Sequence, residues 1–185
     1  AGIPTNIRNT NHPEEPGTVI CYEAEDYESE YPITGIAGHK DFAIINVEKA
    51  MMNSEIGFGR RLLQALEEQD ISFEHMPSGI DTMCVVVHES TLEGKKEKLV
   101  QRIHELCSPD TVEIHSGLAT VGRGMVRSKG ISARLFNALM KAGVNVRLID
   151  QGSSELNIIV GVDNLDFEVA TRAIYRAFVT KDNRW

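Results

Sequence analysis

The sequence contains little cysteine and no cysteine pair at a spacing typical of metal or redox sites. Its three cysteines, Cys21, Cys84 and Cys107, are an odd number at wide intervals, and no C-x-x-C motif occurs. This usage argues against a disulfide framework and against a structural zinc site. It is typical of a reducing compartment, so we expect a cytoplasmic protein.

Long apolar runs and an excess of basic residues are also missing. No apolar run approaches the ~20 residues that a membrane-spanning helix needs. The formal net charge is −8, and residues 1–40 hold seven acidic and two basic side chains, so more than half of the charge lies in an acidic leader. We therefore expect neither a nucleic acid nor an anionic membrane surface as a partner.

Signals for targeting and for catalysis are absent as well. The chain begins Ala-Gly-Ile-Pro, without the basic and apolar regions of a signal peptide, and we expect a cut end of a longer protein. Two G-x-G pairs, at 57–59 and 122–124, do not continue into the G-x-G-x-x-G of a dinucleotide-binding loop. The histidines show no metal-ligand spacing, and no Ser-His-Asp or Cys-His grouping stands out. We expect no catalytic residue and no metal site in this chain.

What the chain does contain is typical of a folded globular protein. Hydrophobic residues make up 42% of its 185 residues and charged residues 25%, which suits one domain or two small ones. Apolar side chains recur at helical spacing in four segments, with β-prone runs between them. The predicted helices are 55–69, 92–107, 128–142 and 165–179; the predicted strands are 32–38, 41–47, 71–76, 82–88, 111–117, 118–122, 144–149 and 155–162.

The first 31 residues show neither periodicity. Prolines and a glycine punctuate them, which is typical of turns, and only TVICY at 18–22 predicts a short strand. Residues 22–31 carry five acidic side chains and no basic one. They predict a solvated linker or, alternatively, a segment that contacts the basic surface of a partner.

An internal repeat is the strongest signal in the sequence. Residues 55–79 superpose on residues 128–152 with a shift of 73 and no gap, which aligns Gly57 with Gly130 and the leucines of both helix faces. Each copy predicts the order strand–helix–strand–strand–helix–strand, the ferredoxin-like motif. Its antiparallel sheet carries helices on one face, so the other face needs a cover. The predicted fold class is therefore α+β, and we expect the repeats to pair and the chain to form a homodimer.

Three stretches carry a family resemblance: IPTNIRNTNHPEEPGT at 3–18, ITGIAGHKDFAIINVEK at 33–49 and VNVRLIDQGSSELNIIVGVD at 144–163. They are similar to aspartokinase, in the C-terminal regulatory region built of tandem ACT domains. The Lys-Phe-Gly-Gly type motif that opens the family's catalytic half is absent. The resemblance therefore implies a regulatory fragment without a cofactor, whose own kinase domain, with ATP and Mg, lies outside this sequence.

The resemblance also implies that one ACT domain is inserted in the other. Residues 1–31 would be the end of the kinase domain and an acidic linker, and residues 41–117 the first ACT domain. Residues 32–40 together with 118–179 would form the second ACT domain, and residues 180–185 a polar tail.

A candidate ligand site follows from the residues around the first predicted helix. A strand ends near Glu48 and the helix begins around Gly57, so the free N–H groups of the helix can attract a carboxylate. Gly57 and Gly59 allow a ligand close to the backbone. The next strand is expected to begin beside this loop and to bring Glu74, which with Glu55 would bind an ammonium group.

The family resemblance places eight residues at effector-contacting positions and implies a free amino acid as ligand. A second acidic residue suits a side-chain ammonium, which favours lysine over threonine. In the second repeat Arg147 replaces Glu74, so the equivalent positions are a weaker candidate. The effector-contacting positions are Met52, Glu55, Gly57, Phe58, Gly59, Ser72, Phe73 and Glu74; the weaker equivalents are Met125, Ser128, Gly130, Ile131, Asn145 and Val146.

The leading hypothesis is an allosteric sensor, in which an end-product amino acid binds the ACT domains and feedback-inhibits the attached kinase. The kinase reaction would be the ATP-dependent phosphorylation of aspartate, the first step of the aspartate-family pathway. The alternative is a structural dimerisation module of the same fold without a ligand. An RNA-binding domain of the RRM kind predicts aromatic strands and a basic face, which this chain lacks. A small ferredoxin-like enzyme would need a catalytic grouping, which is also missing.

Overall fold

The chain divides into two compact units, residues 1–30 and residues 31–185, and each is described by itself. The acidic segment at 22–31 and the polar tail at 180–185 lie outside the described residues. The computed structural model of the chain describes residues 3–20, 33–125, 129–151 and 157–179.

The described part of the first unit is a two-stranded antiparallel ribbon. Strand β1 (Thr5–Ile7) pairs with strand β2 (Thr18–Ile20). β2 confirms the described part of the strand predicted at 18–22, whereas the sequence pattern does not predict β1. A ribbon of two strands is marginally stable by itself, and its apolar side chains are more than half exposed. These are Ile3, Ile7, Val19 and Ile20.

The second unit is a mixed structure built on one antiparallel sheet, which confirms the predicted α+β class. Its five described strands lie in the order β4-β3-β5-β7-β6, and every neighbouring pair is antiparallel. The elements are β3 (Ile33–Glu48), α1 (Phe58–Glu67), β4 (Thr82–His88), α2 (Lys96–Cys107), β5 (Thr111–Met125), α3 (Ile131–Lys141), β6 (Leu148–Asp150), β7 (Asn157–Asp163) and α4 (Phe167–Val179). Single 3-10 turns cover Met52–Ser54, Glu89–Leu92 and Asn164–Asp166.

Two hydrophobic cores lie along this sheet. The first core packs α1 and α2 on the C-terminal half of β3 and includes Ile45 and Leu62, which are fully buried. The second core packs α3 and α4 on the N-terminal half of β3 and includes Ile33 and Leu135. Because β3 and β5 run through both halves, the two cores share their central strands.

All four predicted helices are present, and each begins later than predicted. Gly57 and Gly130 have φ angles of 78° and 83°, and Gly94 has a φ of 67°. Residues in this left-handed region do not continue an α-helix. For this reason α1 and α3 begin directly after their glycines, and α2 begins two residues after Gly94.

The strand predicted at 71–76 is not formed, although its residues alternate in polarity. The Ile71 N–H donates to the carbonyl of Leu66 at the end of α1, 3.1 Å away. Pairing with β4 is limited to isolated bridges, which join His75 to Val86 and Ser78 to Met83. The equivalent segment of the second repeat, predicted as a strand at 144–149, forms only the three residues of β6.

In their described residues, the strands predicted at 32–38 and 41–47 are one continuous strand, β3, and those predicted at 111–117 and 118–122 are another, β5. Each of these long strands passes from one core to the other at a residue with positive φ. In β3 this residue is Asp41, with a φ of 66°, and in β5 it is Gly117, with a φ of 75°. The two crossovers lie side by side, since Phe42 is the register partner of Leu118.

The sheet curls so strongly that its two outer strands come together on the side without helices. Three strands separate β4 from β6, so a flat sheet would hold them about 19 Å apart. Leu148 of β6 nevertheless packs in one buried cluster with Phe42, Ile44 and Val86. The two halves of the sheet therefore cover each other's helix-free faces.

Candidate functional site

The loop between β3 and α1 is where the sequence predicts ligand binding. β3 ends at Glu48, a 3-10 turn follows, and α1 begins at Phe58 with Gly57 as its N-terminal cap residue. No side chain of the described residues caps this helix, and its first turn holds no acidic residue. The Phe58 N–H donates to the carbonyl of Glu55 over 3.4 Å, so the amides of Gly59 and Arg60 are the ones that the helix start offers to an anionic group such as a carboxylate.

Hydrogen bonds from backbone amides to two aspartates fix the loop. The Ala50 N–H donates to Asp110 Oδ2 over 2.7 Å, and the Met51 N–H donates to Asp81 Oδ1 over 2.8 Å. Met51 has a φ of 59°. A non-glycine residue keeps such a positive φ only where surrounding contacts hold it. The loop is thus preformed before any ligand arrives.

Glu55 is engaged by two cations of the chain. Its Oε2 lies 2.6 Å from Lys49 Nζ, and its Oε1 accepts a hydrogen bond from Arg61. The hydrogen bond from Lys49 and the positive charges of Lys49 and Arg61 hold the pKa of Glu55 below its usual range, against an opposing effect of burial. In this arrangement Glu55 fastens the turn to α1, and a ligand's ammonium would have to compete with Lys49 and Arg61 for its carboxylate.

The other predicted loop residues can offer a ligand their backbone groups rather than their side chains. Met52 and Phe58 are only 4% and 3% exposed and belong to the first hydrophobic core. Gly57 lies at the helix start, and a Cβ on Gly59 would meet the end of the Met83 side chain at 3.5 Å. Ligand recognition at this loop would therefore depend on amide groups.

The expectation that Glu74 lies beside this loop is wrong for a single chain. The loop adjoins the first residue of β4, since Glu48 is the register partner of Thr82. The Glu74 N–H instead donates to the carbonyl of Val86, four residues further along β4, or about 13 Å at strand spacing. The segment after α1 runs antiparallel to β4, so it reaches the loop only with its later residues.

The three predicted residues on that segment are exposed at the far end of β4. Ser72, Phe73 and Glu74 are all exposed, Phe73 to 45%. The carboxylate of Glu74 has its Oε1 3.6 Å from Nε2 of His88. One chain thus presents the predicted site as two separate half-sites, the loop at 52–59 and the segment at 72–74.

The second repeat reproduces the helix start but not the charges. Gly130 caps α3 without a side-chain hydrogen bond, and Ile131 is buried in the second core. Asn145 is exposed and Val146 half-buried, and Met125 is paired with Ile33 at the end of β5. Arg147, which stands where Glu74 does, lies 3.4 Å from Asp163. Ser128 lies outside the described residues.

The residues that sequence reasoning missed are those that hold the loop, namely Lys49, Arg61, Asp81 and Asp110. Of these four residues, only Arg61 could have been found from the sequence, because the repeat aligns it with Arg134. The others act across the fold and follow no local spacing. Within the part of the chain that the structure describes, no group of three or more metal-ligating side chains occurs. No helix there is both long and apolar enough to cross a membrane.

Comparison with known proteins gives one family model and a consistent set of relatives. The model of the ACT domain matches residues 118–178. Aspartokinase 3 of Bacillus subtilis is 39% identical over 182 residues, which is 96% of this chain and 40% of that protein. The chain thus spans about two fifths of the length of this curated relative.

Solved structures of aspartate kinases are similar to this chain in fold. The crystal structure of Clostridium acetobutylicum aspartate kinase, described as an allosteric enzyme, is 48% identical with a TM-score of 0.87, over 96% of this chain and 42% of that one. The ligand-free regulatory subunit of aspartate kinase from Thermus thermophilus has a TM-score of 0.68 at 22% identity, over 80% of this chain and 99% of that one. Escherichia coli aspartokinase III in complex with lysine and aspartate (T-state) has a TM-score of 0.71 at 20% identity, over 97% of this chain and 40% of that one.

Proposed function

The chain has the sequence and fold of an aspartokinase regulatory region with an ACT domain, and from this premise we propose that it binds a free amino acid and feedback-inhibits an attached kinase domain. Lysine is the proposed effector, with threonine as its nearest competitor. The inhibited reaction is the ATP-dependent phosphorylation of aspartate, and ATP and Mg belong to the kinase domain. Inhibition requires that lysine bind one state of the enzyme more tightly than the other.

The observation that carries the proposal is the preformed turn before α1. Its uncapped helix start offers amide donors for the α-carboxylate, and Gly57 leaves the backbone open, since the nearest atom to a Cβ built there is an Arg61 nitrogen at 3.5 Å. The ion pair of Glu55 with Lys49 keeps the turn in place without a ligand. A site that is ordered in advance loses less entropy when the ligand binds.

A homodimer is part of the proposal because one chain keeps the two half-sites apart. Six bonds of about 1.5 Å join the α-carboxylate carbon of lysine to its side-chain nitrogen, so a single ligand cannot span the roughly 13 Å between the loop and Glu74. A second copy that brings its Glu74 to the loop of the first would complete the site. Two such sites would then form by symmetry.

The preference for lysine depends on Glu74. Its carboxylate is exposed, and its nearest described partner is a histidine at 3.6 Å, so it can accept an ammonium group. The lysine complex of the similar E. coli aspartokinase III supports the same choice. Threonine has no side-chain ammonium and would leave this carboxylate unused.

Thermal unfolding of the chain with lysine, threonine, methionine or aspartate tests the proposal. A ligand at 100 times its dissociation constant adds about 2.7 kcal/mol to the stability of the folded state. We expect lysine to raise the midpoint most. We expect Glu74→Gln to abolish that rise, and the matched control Glu67→Gln, an exposed glutamate on α1, to keep it.

Sedimentation of the same samples separates the proposal from the alternative of a structural dimerisation module. The proposal predicts a dimer that lysine tightens. A dimer that forms equally well with every amino acid, combined with unchanged midpoints at millimolar ligand, would favour the module without a ligand. A lysine response that survives Glu74→Gln would contradict the assignment of the ammonium partner.

A further inference from the structure

Both crossovers between the two cores are held by the same device. The Asp41 N–H donates to Asn164 Oδ1 over 3.2 Å, and Asn164 Nδ2 donates back to Asp41 Oδ1 over 2.9 Å. At the other crossover, the Gly117 N–H donates to Glu89 Oε2 over 3.3 Å. Each crossover residue is therefore bound through its backbone amide by a side chain from outside the strand pairing.

The two anchoring side chains occupy matching positions in the two halves. Glu89 directly follows β4 and Asn164 directly follows β7, and each opens a 3-10 turn. Each side chain reaches past the adjacent strand to the next one, from β4 to β5 and from β7 to β3. The clamp, as we call Asn164 and Glu89 together, thus holds both shared strands where they pass between the cores.

The backbone at the crossovers differs from that of the strands on either side. Asp41 is a non-glycine residue in the left-handed region, which costs conformational energy unless surrounding contacts hold it. The register between β3 and β5 also shifts between His39 and Phe42. Strand pairing is therefore irregular at the level of the clamp.

A second set of contacts closes the halves against each other. Leu148 packs with Phe42, Ile44 and Val86, and His75 Nδ1 lies 3.4 Å from Asp150 Oδ2. Leu148 and Asp150 belong to β6, and the other residues belong to the first half of the sheet or to the segment bridged to it. The closing contact, as we call these residues, joins opposite edges of the sheet.

We propose that the paired crossovers at Asp41 and Gly117 form a hinge, about which the two halves of the sheet open and close. The clamp holds the hinge itself, and the closing contact holds the two halves together in the closed state. The hinge is a property of this chain by itself and does not depend on amino-acid binding. Opening separates Leu148 from its apolar partners while each core stays intact, because the cores lie on the opposite, helix-covered side.

The chain carries a native probe of this motion in Cys84. Its side chain is half-buried against the closing contact, and its Sγ lies 3.3 Å from Asn46 Oδ1. Burial raises the pKa of the Cys84 thiol, which slows its reaction with alkylating agents. Cys107, 2% exposed in the first core, serves as an internal reference that reacts only when that core unfolds.

The test follows alkylation of Cys84 and Cys107 by iodoacetamide with peptide mass spectrometry. We expect Leu148→Ala to speed the labelling of Cys84 roughly tenfold relative to Cys107, since it removes buried contacts from the closed state. Asn164→Ala, which removes two hydrogen bonds from the clamp, should also increase the relative rate. The matched control Asn137→Ala, on α3 in the second half, should leave it unchanged.

Amide hydrogen exchange of the unaltered chain provides a measurement that needs no variant. The hinge predicts that Asp41 and Gly117 exchange faster than residues 45–47 of β3, and that Asn164→Ala accelerates both crossovers together. The proposal is overturned if the exchange at residue 117 does not respond to Asn164→Ala. It is also overturned if Cys84 and Cys107 always accelerate together, because opening would then be unfolding of the first core.

Discussion

Lys49 and Glu55 close the turn between β3 and α1 with an ion pair in which Nζ lies 2.6 Å from Oε2. Arg61 binds the other carboxylate oxygen, and the Lys49 ammonium also donates to the carbonyl of Cys107 over 2.9 Å. One acidic side chain thereby joins the end of a strand to the start of α1, and Lys49 extends the connection to α2. The turn that would receive a ligand is built by the chain's own charges.

The first prediction concerns this ion pair and its dependence on pH. The pKa of Glu55 is lower in the folded state than its ordinary value of 4.5, so its stabilising effect is fully present above pH 4.5. The effect is lost as the pH falls through the folded-state pKa. We expect Glu55→Gln to lower the melting temperature at pH 7, and the difference from the unaltered chain to shrink below pH 4.5. A difference that stays constant in acid, or an equal loss in the control Glu67→Gln, would contradict this reading.

The second prediction compares the two glycines at the helix starts. Gly57 and Gly130 both have positive φ, and a Cβ would meet nothing within 4 Å at Gly130 and only an Arg61 nitrogen at 3.5 Å at Gly57. An alanine at either position is therefore strained by its backbone alone, at a cost of about 1–2 kcal/mol. We expect Gly57→Ala and Gly130→Ala to lower the free energy of unfolding in urea by similar amounts. Under the proposed function, only Gly57→Ala should also weaken the response to lysine.

The third prediction uses the repeat to make the same substitution, leucine to alanine, at aligned positions in the two cores. Leu62 and Leu135 align in the repeat and are 0% and 1% exposed, one in each core. Leu62→Ala and Leu135→Ala should each destabilise the fold by about 2–5 kcal/mol. Because β3 and β5 belong to both cores, we expect each variant to unfold in a single cooperative transition, measured by circular dichroism and by amide exchange. Two separate transitions would show that the cores unfold independently.

The fourth prediction is a stabilising substitution. Gln69 is 7% exposed, and among the described residues neither its Nε2 nor its Oε1 has a hydrogen-bond partner. A buried polar group without a partner costs about 1–3 kcal/mol, and methionine has a similar length and shape. We expect Gln69→Met to raise the free energy of unfolding by about 1–2 kcal/mol. Gln64→Met, which removes hydrogen bonds with Arg60 and Glu68, should give no such gain.

The helices could be predicted from the sequence because their signal is local. Leu62, Ala65 and Leu66 recur at helical spacing, and all three are buried in the first core. The repeat added the order of elements, since Gly57 and Gly130 mark the same helix start. Local propensity and tertiary structure agree in these segments.

The sheet and the site were harder to predict from the sequence because they depend on contacts between distant residues. Alternation at 71–76 predicted a strand, but the end of α1 takes the Ile71 amide and leaves only isolated bridges to β4. Spacing identified Glu55 as an acidic candidate, but no pattern reveals whether a carboxylate faces a ligand or a cation of its own chain. The curl of the sheet, which brings Leu148 to Val86, also has no local signal.

The shared strands have a consequence for the order in which the chain folds. The first core is assembled from residues between 43 and 114, so it can close as soon as that contiguous stretch has been synthesised. Ile33 instead finds its register partner at Met125, more than ninety residues later, and long-range pairings of this kind form slowly. The N-terminal half of β3 is already attached to this core when its partner residues in β5 are synthesised, so the later half of the sheet can form on a strand that the earlier half holds.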